Sequence, residues 1–219
     1  MNFTPKFAAL SARRFADLQA ELAALLRPGL SIILELGCGH GHFLARYAAD
    51  FPRKTCVGVD LSSARIDRAV RKAGRAKLAH CHFVRADAAD FLRALPAGIS
   101  FEEIWVLFPD PWPKKRHHKN RLLQPALLEA LAARTGAGGR LYFRTDHSEY
   151  FAAVPKFFAQ TQSWQLNATP DFPVEPETVF QARAPSHHSL VAIRTSHPAR
   201  PAGTVAPTPP PPAAPKWPA

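Results

Sequence analysis

The chain has 219 residues, with 28 lysines and arginines against 17 aspartates and glutamates, a formal net charge of +11. That length suits one α/β domain with small extensions and is short for two domains of ordinary size. The charge favours an acidic partner, nucleic acid or an anionic membrane surface, but no apolar run reaches spanning length and charges are scattered from Lys6 to Glu21, which argues against a transmembrane segment or a signal peptide.

Between Phe7 and Leu26, apolar positions Leu10, Phe15, Leu18, Leu22 and Leu25 recur among charges at helical spacing. This predicts a helical extension over 1–30 that packs on the domain or covers its site, ended by Arg27-Pro-Gly29. From Ser31, short apolar runs alternate with amphipathic stretches, which is the pattern of an α/β fold: a Rossmann-like, doubly wound, mostly parallel seven-stranded sheet flanked by helices. Strands are expected near 31–36, 55–59, 80–85, 102–108, 139–145, 163–168 and 189–195, and helices near 41–50, 62–74, 88–95, 121–134 and 147–160. The domain thus spans 31–196. Beyond it, 197–219 is rich in Pro and Ala and reads as a disordered tail, with Trp217 a candidate docking residue. Cys38, Cys56 and Cys81 lie in or beside strand-like segments without paired spacing, as reduced cysteines of a cytoplasmic protein would.

Ligands of such sheets gather outside the carboxyl ends of the strands. At the first such end stands Leu34-Glu-Leu-Gly-Cys-Gly-His-Gly41, where Gly37, Gly39 and Gly41 permit a tight turn and close approach of backbone to a ligand. The spacing is G-x-G-x-G, unlike the dinucleotide fingerprint, and Glu35 sits within the strand end. Asp60 ends the second strand, where a carboxylate can accept from both hydroxyls of a ribose, and Asp87 ends the third. Three acids at successive strand ends would repel a polyphosphate. They suit a cationic ligand with a sugar and an adenine amino group, as S-adenosylmethionine is.

After the fourth strand comes Phe108-Pro-Asp-Pro-Trp-Pro-Lys-Lys-Arg-His-His-Lys-Asn-Arg121. Pro109, Pro111 and Pro113 take the chain out of the sheet in a stiff extended loop that presents Asp110. Lys114, Lys115, Arg116, Lys119 and Arg121 beside it form the electrostatic footprint of phosphate contact, against the plainer reading of a solvated basic loop. Trp112 either stacks on a base or anchors the loop.

The glycine loop with Asp60 and Asp87 resembles a class I S-adenosylmethionine-dependent methyltransferase. The proline-tryptophan segment, its basic run and Arg144-Thr-Asp146 resemble the bacterial tRNA (guanine-N(7))-methyltransferase family, over about 32–150. The resemblance implies methylation of a guanine N(7) in tRNA, at the variable loop. It also implies that Glu35, Asp60, Asp87 and Asp110 line the cofactor pocket, and that Lys114, Asp146 and a late Thr-x-x-Glu element face the guanine. Here that element reads Thr178-Val-Phe-Gln181. A carboxylate accepts from both the ring N–H and the exocyclic amine of guanine, whereas the amide of Gln181 turns a donor toward a donor.

Guanine N(7) has a lone pair and no proton to lose, so the reaction needs alignment more than a base. Asp110 and Asp146 are placed to stabilise the positive charge that develops on the purine, Asp110 being the candidate catalytic residue. For Asp146 the plainer role is a helix cap. His80 and His82 bracket Cys81 without further ligands nearby, so no metal is expected. The alternatives are an RNA-binding relative with weak or lost catalysis, for which Gln181 is the symptom, and a methyltransferase for another substrate on the same fold. A monomer or homodimer is expected.

Overall fold

In the computed structural model, residues 5–169, 171–174 and 186–199 are described; Thr178, Gln181 and 200–219 lie outside them. Helix α1 (Pro5–Leu25) precedes an alternation of strands and helices: β1 (Ser31–Leu36), α2 (His42–Asp50), β2 (Thr55–Asp60), α3 (Ser63–Arg75), β3 (Cys81–Arg85), α4 (Ala88–Ala94) and β4 (Ser100–Leu107). A 3-10 helix (Lys115–Asn120), α5 (Pro125–Ala132), β5 (Thr135–Thr145), α6 (Ser148–Phe158), β6 (Trp164–Leu166) and β7 (His188–Arg194) follow. The strands form one sheet in the order β3-β2-β1-β4-β5-β7-β6. β1 to β5 run parallel, and β7 pairs antiparallel with both β5 and β6.

The order reverses between β1 and β4, because the chain steps outward from β1 to β3 and then returns to the other side of β1. A crevice must open at that point, above the carboxyl ends of the two strands. Burial on both faces explains the near-continuous apolar runs of the parallel strands. Ile32, Leu34, Ile104 and Val106 point into a core shared with α1, α4, α5 and α6; Ile33, Trp105 and Tyr142 point into the other, under α2 and α3. In that second core the Trp105 and Tyr142 rings stack at 4.0 Å, and Phe172 closes over both edge-on.

Helix α1 packs on the domain. Leu18, Leu22 and Leu26 are buried in the first core, whereas residues 9–14 are exposed and overhang the strand ends. Three expectations need correction. The basic run winds into the 3-10 helix, and the following α-helix, expected from 121, starts at Pro125, since Arg121 and Leu123 have turned inward. β5 begins at Thr135, four residues early, by running through its glycines with a register shift opposite Phe101 and Glu103. β6 is only three residues long.

Candidate functional site

The glycine loop carries the chain from β1 to α2 along one side of the crevice. Gly37 and Gly39 have φ of 77° and 53°, a backbone that side chains rarely adopt, and a Cβ at either would meet nothing within 4 Å. They serve the turn and leave open space over the loop. Gly41 shares the left-handed backbone, with φ of 63°, and is constrained by packing as well, since a Cβ there would lie 2.6 Å from the Phe83 ring. Asp60 fastens the loop: its Oδ2 accepts from the Gly39 N–H at 3.0 Å and its Oδ1 from the Ser62 N–H at 2.8 Å, with Arg65 3.6 Å away. A carboxylate offers about four acceptor positions, so capacity remains for a ligand.

Glu35 lies below the start of this loop with 3% of its surface exposed. Burial, reinforced by the nearby Asp60 charge, pushes its pKa up to about 8, against opposing contributions from a Leu44 backbone hydrogen bond and Lys72. Its Oε2 is buried without a hydrogen-bond partner among the described residues. An unsatisfied buried carboxyl oxygen is costly, and a bound ammonium or other cation would relieve it. The chain's own residues therefore fit a cationic cofactor.

Asp87 caps α4, accepting from the Ala89 N–H at 2.8 Å. It borders a cavity of about 380 Å³ whose floor includes Leu61 and Arg85 and whose roof is Leu10, Arg14 and Phe15 of α1. The third strand end is thus roofed by the N-terminal helix.

Across the crevice, at the end of β4, the Phe108-Pro-Asp-Pro-Trp112 turn is strained at both ends, with φ of 48° at Phe108 and 44° at Trp112. Bulky residues held there cost about 1–3 kcal/mol each, and such strain gathers at functional sites. The Phe108 N–H donates to the Arg144 carbonyl at 2.8 Å, which ties the turn to β5. Asp110 is exposed, and its Oδ1 accepts from the Trp112 N–H at 3.1 Å. Trp112 itself is 8% exposed and meets His117 edge-on at 5.7 Å, so it anchors the loop; the stacking alternative is left without an exposed ring face.

Of the expected phosphate contacts, Lys114, Lys115, Arg116 and Lys119 are exposed. Arg121 is not. It is 3% exposed, donates from Nε to the Pro111 carbonyl at 2.8 Å, and lays its guanidinium 4.8 Å over the Tyr150 ring. Its role is to staple the turn, and nothing in the sequence distinguished it from its basic neighbours. Asp146, exposed after β5, is also not the helix cap considered for it: the cap of α6 is His147, whose Nδ1 accepts from the Tyr150 N–H. Asp110 and Asp146 thus stand at the ends of paired strands, β4 and β5. Phe172, which sequence reasoning missed, sits under the Arg144 guanidinium at 4.5 Å.

His80 bonds the Ala48 carbonyl through Nε2 at 2.9 Å. Among the described residues, no group of three or more His, Cys, Asp or Glu side chains is arranged to hold a metal ion, and no helix is long and apolar enough to cross a membrane.

The chain matches the family model Methyltransf_4 ("Putative methyltransferase") over residues 30–189. It is 34% identical over 154 residues to a tRNA (guanine-N(7)-)-methyltransferase of Thiobacillus denitrificans, covering 69% of this chain and 68% of that protein. It is 35% identical over 167 residues to the protein of that name from Treponema pallidum subsp. pallidum, covering 74% and 67%. Solved structures share the fold. TrmN from Thermus thermophilus aligns with a TM-score of 0.53 at 20% identity, over 82% of this chain and 48% of that one. Magnesium protoporphyrin IX methyltransferase from Synechocystis PCC 6803, with bound SAM, aligns with a TM-score of 0.52 at 16% identity, over 89% and 86%.

Proposed function

The chain belongs to the tRNA (guanine-N(7)-)-methyltransferase family, and from that premise we propose that it methylates N(7) of a guanine in tRNA, in the variable loop, with S-adenosylmethionine as the methyl donor. The observation that carries the reading is the pairing of two features across one crevice. A glycine loop with open space above it and an orphaned Glu35 Oε2 beneath it faces a strained turn that exposes Asp110 and a basic run.

The cofactor supplies an electrophilic methyl on a sulfonium. Glu35 would pair in its ionised form with the amino group, Asp60 would accept from the ribose hydroxyls, and Asp87 would take the adenine end, under the roof of α1. Asp110 and Asp146 would orient the guanine with its N(7) lone pair turned into the crevice, and their charges would stabilise the positive charge that develops on the ring. No proton leaves N(7), so no residue is required as a base. Lys114, Lys115, Arg116 and Lys119 neutralise tRNA phosphates around the target, whereas Arg121 only shapes the turn. Thr178 and Gln181 complete the guanine edge in this reading. A protein doing this chemistry would work in the cytoplasm.

The test is transfer of labelled methyl from S-adenosylmethionine to bulk tRNA followed by nucleoside analysis. Label in 7-methylguanosine is the expected result. Label in another nucleoside would favour a different substrate on the same fold, and tRNA binding without label would favour a non-catalytic relative.

A further inference from the structure

Helix α3 carries a second concentration of positive charge that the site described above does not use. Ile66, Ala69 and Ala73 are its buried face. Arg65, Arg68, Arg71, Lys72 and Arg75 fall together on the far side, within an arc of roughly 120° at about 100° per residue, while Asp67 lies outside that arc. Arg68, Arg71 and Arg75 are exposed, and among the described residues none of the three forms an ion pair.

The arc is turned toward the crevice. Arg65 stands 3.6 Å from Asp60, Arg68 lies 3.4 Å from the His40 ring, and Lys72 donates to the His40 carbonyl at 2.9 Å. The charged face therefore begins at the rim of the glycine loop and runs down α3. The other basic run, Lys114 to Lys119, follows β4 on the opposite side of β1. Cations thus flank both sides of the crevice.

Like charges at i,i+3 and i,i+4, such as Arg68 with Arg71 and Lys72 or Arg71 with Arg75, weaken a helix unless something neutralises them. Guanidinium groups in an exposed row match phosphates spaced along a backbone. We propose that this face of α3 is a second tRNA-binding surface, which grips the phosphate backbone away from the target guanine while the run after β4 holds the backbone beside it. The inference rests on the tRNA reading of the site and extends it.

The test compares the full chain with a triple variant, Arg68→Gln, Arg71→Gln and Arg75→Gln, in filter binding to full-length tRNA across a salt series. Arg65 and Lys72 are kept because they contact Asp60 and the loop backbone, whereas Arg68 touches only the exposed edge of the His40 ring. The variant should bind roughly tenfold more weakly at low salt, with a slope of log affinity against log salt shallower by about two to three units, near one per lost contact. The corresponding Arg→Lys triple should keep most of the slope. S-adenosylmethionine binding should be unchanged and the melting temperature no lower, since repulsion has been relieved. An unchanged slope, in a protein whose slope does fall when Lys115 and Arg116 are neutralised, would overturn the proposal and leave the tRNA reading standing. If neither variant alters tRNA binding, the tRNA reading itself fails. Loss of binding to anionic phospholipid vesicles with tRNA binding intact would assign the face to a membrane and equally overturn it.

Discussion

Arg121 donates from Nε to the Pro111 carbonyl at 2.8 Å, so a residue ten positions downstream fixes the turn that presents Asp110. The same guanidinium lies over the Tyr150 ring, whose hydroxyl accepts from the Leu123 N–H at 3.0 Å. β4's exit loop and α6 are joined through one buried cation.

Arg121→Ala should therefore behave as a structural lesion. It leaves the Pro111 carbonyl without its donor and removes the cation from the ring, at a cost of about 1–3 kcal/mol in a denaturant titration. Methyl transfer should fall because Asp110 loses its fixed position, while the salt slope of tRNA binding stays the same. A shallower slope with full stability would return Arg121 to the phosphate contacts.

Neutralising Lys115 and Arg116 together should have the opposite signature. Both are exposed, so the cost in stability should be within about 0.5 kcal/mol. Binding to tRNA should weaken and its salt slope drop by about one unit per contact, with S-adenosylmethionine affinity unaffected. An unaltered slope would make this run a solvated helix end.

Most of the sheet was legible because strands buried on both faces must be written in apolar residues, and because ligands collect where those runs stop. The positions of Glu35, Asp60 and Asp87 at the ends of three successive strands followed from the same pattern. The inward turn of Arg121 was not legible, since its partners Pro111 and Tyr150 are set by the return of α6 across the end of the sheet, and charge is the only thing its sequence context displays. Nor was the capping of α6 by His147 legible, because Asp146 is the commoner capping type and only the backbone direction after Thr145 decides between them. The strand was expected only from 139, yet the pairing of Thr135 with Phe101 on β4 extends β5 back through its glycines.

Glu35 should make both stability and cofactor binding depend on pH. Its folded pKa of about 8 lies above the ordinary carboxylate value of 4.5, so the folded protein binds more protons than the unfolded chain between those limits. Stability contributed by this group is full below about 4.5 and declines as pH rises toward 8. Glu35→Gln should remove that decline, so the variant's melting temperature should gain on the parent's as pH is raised through the window. A cationic cofactor that requires ionised Glu35 must displace its proton. Calorimetry at pH 7 in buffers of different ionisation enthalpy should then register proton release on binding to the parent and less release for Glu35→Gln. Equal release from both would remove Glu35 from the cofactor site.

Asp60 serves the loop and, in the proposed site, the ribose. Asp60→Asn retains an acceptor for the Gly39 or Ser62 N–H but turns an amide donor toward a ligand hydroxyl or a loop N–H. S-adenosylmethionine should bind more weakly by about 1–3 kcal/mol in calorimetry. Undiminished affinity would place the ribose elsewhere.

The last prediction turns on Gln181, which occupies the place of the glutamate in the Thr-x-x-Glu pattern that the family resemblance implies. Guanine presents two donors on its Watson–Crick edge, and a carboxylate meets both, whereas an amide meets one and opposes the other. Leaving a buried donor unpaired costs about 1–3 kcal/mol, so Gln181→Glu should raise kcat/KM on tRNA by about tenfold or more. The gain should appear mainly in KM if the edge is gripped equally in ground and transition states, since uniform binding alters affinity without altering the chemical step. Parallel steady-state measurements on the two proteins with the same tRNA check this. A loss of activity on introducing the carboxylate would mean that residue 181 reads something other than the guanine edge, and a substrate with an acceptor at that position would then be the one to seek.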